Sequence, residues 1–270
     1  GRLALATLFL ATAATWWYAL APAEAVTVHF FDAGAGEATL VESASGQRVL
    51  IDGGPSGPVA TRLLSDALPP WDRTIDLVVL TNPKPQNLSG LLEVLRRYDV
   101  RAVAESGLTA DTPEYTEWQR LLDGRAVARH TLRQGMRIDL DGAAISVLHP
   151  AEPWLHNVRT GVDRADTSVV LELEAHGQRV VLASDVRARA VLAMRDRGVL
   201  RPGTVLRAPA SSGVTPLTLL GEAVQPAVVV QSGSALELGR TPIPALPDAG
   251  DMRALRTDLD GTIRLTIARD

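Results

Sequence analysis

Apolar and polar positions along the chain alternate between two patterns. Short apolar runs bounded by Gly, Pro, Asn and Ser read as strands. In the first half these are Val26–Phe31, Thr39–Glu42, Arg48–Ile51, Ile75–Leu80 and Val100–Ala104. In the second half they are Ala144–Leu148, Ser168–Glu174, Arg179–Leu182, Val205–Ala208, Ala227–Gln231, Ala254–Thr257 and Thr262–Ile267. Stretches with helical spacing fall between them: Pro58–Leu68, stopped by Pro69-Pro70; Leu88–Arg97; Pro113–Leu122 behind Thr112 as N-cap; Arg187–Arg197; and Pro216–Ala223. Ala175-His176-Gly177-Gln178 reads as a hairpin turn and Asp258-Leu259-Asp260-Gly261 as a second turn. Gln231–Asp251, rich in Gly, Pro and Ser, reads as a long surface loop. Two β-rich halves with intervening helices predict an α/β protein, an αββα sandwich in one domain over residues 25–270.

Residues 1–24 follow a different pattern. Leu3–Ala23 contains no charged residue and is about as long as the ~20 residues that span a bilayer as a helix. Trp16, Trp17 and Tyr18 cluster toward one end, as interfacial aromatics do. Arg2 precedes the run and Glu24 follows it, which places the N-terminus inside and the rest of the chain on the extracytoplasmic side of the cell membrane. Residues 1–24 are therefore expected to form a transmembrane helix, the last of a longer membrane region. Two other readings stay open. Ala19-Leu20-Ala21 and Ala23-Glu24-Ala25 fit a signal-peptide cleavage pattern. A buried core helix is the other, and the lack of any polar face counts against it.

Composition narrows the chemistry. Hydrophobic residues make up 46% of the 270 and aromatics only 4%, so the core is aliphatic. There is no cysteine, which excludes disulfides and thiolate metal sites. The formal net charge of −4 lacks the basic footprint of a dedicated nucleic-acid module. Lys84 is the only lysine among 27 Lys and Arg residues. The five histidines, His29, His130, His149, His156 and His176, are isolated, so no His-x-His or His-Glu-x-x-His ligand pair exists. Gly34-Ala35-Gly36 and Gly53-Gly54 fall short of a phosphate-binding motif, and Ser211-Ser212-Gly213 lacks a nucleophile elbow.

The polar stretch Asn82–Gly90, read as a loop, follows a buried strand, where an α/β protein places its chemistry. From Leu80 to Leu91 it resembles the signature Thr-His-x-His-x-Asp-His-x-Gly-Gly-Leu of the metallo-β-lactamase superfamily. Thr81, Gly90 and Leu91 match, while Asn82, Lys84, Gln86 and Asn87 stand at the four metal-ligand positions. Other blocks resemble the C-terminal domain of ComEC/Rec2-type DNA-uptake proteins: Val28–Ala38, Leu50-Ile51-Asp52-Gly53-Gly54-Pro55, Val147–Pro150, Asp166–Leu171 and Leu182-Ala183-Ser184-Asp185. Leu206–Gly213 takes the place of a block that carries two histidines in that family, and Gly239–Pro242 lies near a third histidine position that is also lost.

The resemblance implies a metallo-β-lactamase-like sandwich whose metal site has been lost, with neither metal nor cofactor. It implies that Asn82, Lys84, Gln86, Asn87, Asp185, Ala210 and Ser211 form a vestigial site in one cleft. Lys84 would pair there with Asp185 or Asp52 in place of the metal, or else be a solvated lysine at a loop tip. Asp32 and Asp52 are expected to be local turn-formers, and Asp185 has a second reading as the N-cap of the Arg187–Arg197 helix. His149 is expected to be structural. The implied role is structural, docking or DNA-guiding. The implied partners are the membrane, single- or double-stranded DNA and other competence-machinery proteins. Two further functions stay open: a hydrolase or nuclease that retains Asp185 with an unconventional single metal, and a membrane-anchored binding domain unrelated to DNA uptake.

Overall fold

The computed structural model describes residues 25–125, 127–151, 164–208, 213–240, 243 and 252–269. The first half runs β1 (Ala25–Phe30), β2 (Thr39–Glu42), β3 (Arg48–Ile51), α1 (Gly57–Ala67), β4 (Thr74–Leu80), α2 (Pro85–Arg97), β5 (Asp99–Glu105), α3 (Pro113–Asp123) and β6 (Ala128–Thr131). The second runs β7 (Arg137–Leu140), β8 (Ala143–His149), a 3₁₀ turn (Arg164–Thr167), β9 (Val170–Ala175), β10 (Gln178–Ala183), α4 (Ala188–Asp196), β11 (Val205–Ala208), α5 (Val214–Val224), β12 (Val228–Gln231), α6 (Ala235–Arg240), β13 (Arg253–Arg256), α7 (Thr257–Asp260) and β14 (Ile263–Ala268).

These strands form two seven-stranded sheets, ordered β14-β1-β2-β3-β4-β5-β6 and β13-β12-β11-β10-β9-β8-β7. Each sheet is antiparallel at one side and parallel at the other. The switch occurs at β3 in the first sheet and at β10 in the second. The C-terminal strand β14 returns to pair with β1 in the first sheet. Alternate residues of one strand face opposite layers. Val49 and Ile51 face the second sheet, where they join Val147, Leu171 and Leu182, while Leu50 faces the helix layer with Leu64, Leu91 and Trp118. Val181 and Leu206 meet Val191, Met194 and Leu217 on the far side. Strands covered on both faces read as continuous apolar runs, so the central strands were the most legible in the sequence.

Five elements differ from expectation. β6 and β7 are four-residue sheet edges carrying Arg129, His130, Arg137 and Asp139, so they show no apolar run to read. The stretch Gln231–Asp251 contains α6, anchored by buried Leu238. The turn at Asp258 is the short helix α7. Finally, α2 begins at Pro85, which places Gln86 and Asn87 in a first helical turn instead of a loop. Among the described residues, no helix is long and apolar enough to cross a membrane. The span expected over residues 1–24 lies outside the described residues.

Candidate functional site

The switch from antiparallel to parallel pairing opens a crevice at the strand C-termini. Asp52 follows β3 and Ser184-Asp185 follows β10, so equivalent ends of the two halves meet here. Thr81 and Asn82 leave β4 between them. The carbonyl of Thr81 accepts from the Val169 amide at 3.0 Å and ties the two halves together.

Asp52 is fully buried, and three donors converge on it. The Thr81 amide donates to Oδ1 at 2.9 Å, the Thr81 hydroxyl to Oδ2 at 2.6 Å, and Asn87 Nδ2 to Oδ2 at 3.1 Å. The Thr81 hydroxyl also lies 2.8 Å from the Ser184 hydroxyl of the second half. Burial drives the Asp52 pKa up to about 8; the charge of Glu37 adds to the rise, and the bonds from Thr81 oppose it. The Asp52 backbone makes the turn, at φ 59°, but its side chain caps no local backbone and instead joins a buried network behind the cleft. The expectation missed this because Asp-Gly-Gly is common in turns, whereas the partners of Asp52 lie about thirty residues away. Asp32 does act locally, accepting from the Gly34 amide at 3.3 Å.

Pro83 and Pro85 bracket Lys84. The residue before a proline is biased to extended backbone, and Lys84 has φ −77° and ψ 144°. This carries its side chain away from α2 and toward the second half, where Nζ lies 2.9 Å from Asp185 Oδ2. The side chain of Asp185 is 8% exposed and that of Lys84 37%. Asp185 does not cap α4, whose N-cap position is Arg187 and has no side-chain cap bond. A cation at the N-terminus of a helix opposes the helix dipole, and Asp185 offsets that cost.

Two close backbone approaches fix this geometry. The Gly53 amide donates to the Asn87 carbonyl at 2.8 Å, and the Gly90 amide to the Gly54 carbonyl at 3.1 Å. A Cβ on Gly90 would lie 1.8 Å from the Gly53 carbonyl oxygen, so only glycine fits.

Gly36, Glu37, Lys84, Gln86, Asn87, Asp185, Ser232 and Glu237 line a cleft of about 230 Å³. Of the residues anticipated in the sequence, Lys84, Gln86, Asn87 and Asp185 share this cleft. Asn82 is buried behind it and donates to Ser168 Oγ at 2.7 Å. Ala210 and Ser211 lie outside the described residues. Two members went unnoticed. Glu37 and Arg207 form a buried ion pair with Nη2 to Oε2 at 2.5 Å. Burial raises the Glu37 pKa to about 7, with Arg207 pulling it down and Asp185 pushing it up. The available signal was an arginine inside the apolar strand Val205-Leu206-Arg207-Ala208. His149 is buried with Nε2 2.7 Å from the Asp166 carbonyl, and burial lowers its pKa to about 4, as suits a structural residue.

The donor set does not fit the metals associated with such a site. Two-metal hydrolysis needs carboxylates and imidazoles converging on ions. Here an ammonium fills the approach to Asp185, and the amide nitrogens of Asn82 and Asn87 point at protein oxygens. No group of three or more His, Cys, Asp or Glu suited to a metal occurs among the described residues. Within the cleft, Lys84 neutralises Asp185, and behind it Arg207 pairs with Glu37.

No protein-family model matches the chain, and no curated protein does. Solved structures do resemble it. They include the metallo-β-lactamase fold protein YhfI from Bacillus subtilis, with a TM-score of 0.54 at 9% identity over 90% of this chain and 100% of that one. A diphosphatase from the PhnP family gives 0.53 at 14% identity over 90% and 98%. CmlA, a diiron β-hydroxylase from Streptomyces venezuelae, gives 0.52 at 14% identity over 92% of this chain and 54% of CmlA, about half its length. Identities this low speak for architecture alone. With two mixed sheets face to face and helices outside both, the chain has the metallo-β-lactamase fold.

Proposed function

We propose that this chain is a membrane-attached, metal-free metallo-β-lactamase-like domain of a ComEC/Rec2-type DNA-uptake protein. It acts on the extracytoplasmic side as a structural, docking or DNA-guiding element. The observation that carries the metal-free part is the Lys84–Asp185 contact at 2.9 Å, which puts a fixed cation beside a retained carboxylate. The ordered series of blocks from Val28 to Asp185 supports the DNA-uptake assignment, and the uncharged run Leu3–Ala23 supports membrane attachment. Fixed ammonium chemistry cannot lower the pKa of a water as a bound divalent cation does. The domain therefore serves by shape and contact. Elemental analysis of full chain purified without chelator tests this. Zinc or manganese well below one equivalent is expected. A near-stoichiometric metal with phosphodiesterase activity would favour a hydrolase built on Asp185. Deletion of the host gene should impair transformation, and unimpaired uptake would remove the DNA-uptake assignment.

A further inference from the structure

The cleft occupies one end of the sandwich, and the opposite end has a distinct feature. β1 and β3 both run antiparallel to β2, and β4 runs parallel to β3. Ala25 therefore lies at the end where β4 begins, away from the cleft. The α1–β4 connection, Pro69-Pro70-Trp71-Asp72-Arg73, lies at this same end, and Trp71 is 86% exposed. The tryptophan is held outward by a fixed turn. The Asp72 amide donates to the Pro69 carbonyl at 3.0 Å, and the Thr74 amide to Asp72 Oδ1 at 3.0 Å. Charged contacts tie this turn to β1: Arg48 bridges Asp72 at 2.6 Å and Glu42 at 3.0 Å, and Glu42 pairs across from Thr27. Three strand spacings separate β1 from β4, roughly 14 Å. Arg73, two residues after Trp71 in the same turn, is also exposed.

We propose that this end of the sandwich rests on a lipid bilayer, with Trp71 at the interface and the cleft facing away. The inference rests on the membrane-attached reading and adds the face that meets the lipid. Two independent observations meet here. The uncharged run Leu3–Ala23 joins the domain at Ala25, on this end. A tryptophan, the side chain most at home where apolar and aqueous phases meet, is presented on the same end with an exposed arginine two residues on. A chain with 4% aromatics spends one of its five tryptophans there. β4 has seven residues, so the cleft stands roughly 20 Å above the bilayer surface at ~3.3 Å per residue. The competing orientation would use Leu259, 74% exposed in α7 at the cleft end.

The chain has no cysteine, so Trp71→Cys and Leu259→Cys each give a single labelling site. Each variant of the full chain, reconstituted in vesicles of phosphatidylcholine and phosphatidylglycerol, would carry a nitroxide. Its collisions with oxygen and with a water-soluble nickel chelate would then be compared. The label at 71 is expected at headgroup depth and the label at 259 in water. A label in water at 71, or in lipid at 259, overturns the orientation. A full chain that fails to float with vesicles overturns the membrane-attached reading, and the orientation with it.

Discussion

Lys84 Nζ lies 2.9 Å from Asp185 Oδ2 and joins residues 101 positions apart across the two halves of the sandwich. Lysine is otherwise absent from a chain that uses arginine everywhere else. The ammonium is a compact point charge and meets one carboxylate oxygen, without the bidentate fork an arginine would offer. The contact places a monovalent charge where the superfamily signature places metal ligands.

Removing that charge has a definite cost. Asp185 is nearly buried and Lys84 about one-third exposed, so the pair falls between an exposed bridge, worth ~0–1 kcal/mol, and a buried one, whose disruption costs ~3–5 kcal/mol. Lys84→Met should destabilise by about 1–3 kcal/mol. Urea unfolding of Lys84→Met, Asp185→Asn and the double variant should give a coupling energy above ~1 kcal/mol. Additive single effects would show that the contact contributes nothing.

Asp52 makes stability depend on pH in an unusual direction. Its carboxyl titrates near 3.8 when unfolded and at about 8 in the fold, so the folded state binds the proton more tightly between those values. Stability is then fully present below the unfolded value and falls as pH rises through the folded one. Glu37, raised to about 7, acts in the same sense. Unfolding free energy should fall between pH 6 and pH 8.5, and the fall should be shallower in Asp52→Asn. The lowered carboxyls of Glu42 and Asp72 titrate below this window and do not obscure it. A natural protein equally stable at both pH values would contradict the burial of a protonated Asp52.

Gly90 tests the backbone frame. A methyl group there meets the Gly53 carbonyl oxygen at 1.8 Å and its carbon at 2.6 Å, neither of which is a side chain able to swing away. Gly90→Ala should cost at least the ~3 kcal/mol at the top of the usual overpacking range. Gly239→Ala, at a helical position with nothing within 4 Å, should be neutral or slightly stabilising. Thermal melts of the two variants check this, and similar melting temperatures would mean that α2 sits further from Gly53.

Particular residues show how far the sequence reaches. β11 was legible to the residue because Val205–Ala208 is an apolar run between a Pro-Gly turn and another proline. The strand ends at Asp52, Thr81 and Asp185 were legible as places, but Asp52 was not legible as a partner of Thr81 and Asn87. Its Asp-Gly-Gly setting has an adequate local explanation, and only the fold brings the other strand within 3 Å. β6 escaped for the opposite reason: all four of its residues are exposed, so no buried face patterns the strand. Arg207 inside an apolar strand signals a buried charge, but nothing local to it names Glu37, 170 residues away, as its partner.

That buried pair gives an asymmetric prediction. Its two partners have different ways out when left alone. A carboxyl stranded in the core can take a proton, and Glu37 is already raised to about 7 by burial. A guanidinium cannot lose its proton at accessible pH. Glu37→Leu should therefore cost the ~3–5 kcal/mol of an uncompensated buried charge at pH 8.5, where the native pair is ionised, and less at pH 6, where Glu37 is already largely protonated. Arg207→Met should cost less at pH 6, where Glu37 is protonated, and progressively more toward pH 8.5 as ionisation of the stranded carboxyl is resisted by the fold. The double variant should recover much of the loss, since well-packed apolar replacements of a buried pair are often neutral. Urea unfolding of the three variants at pH 6 and pH 8.5 measures each term. An Arg207→Met cost that stays constant with pH, or exceeds that of Glu37→Leu at pH 6, would show that Glu37 remains ionised without its partner and is solvated from the cleft.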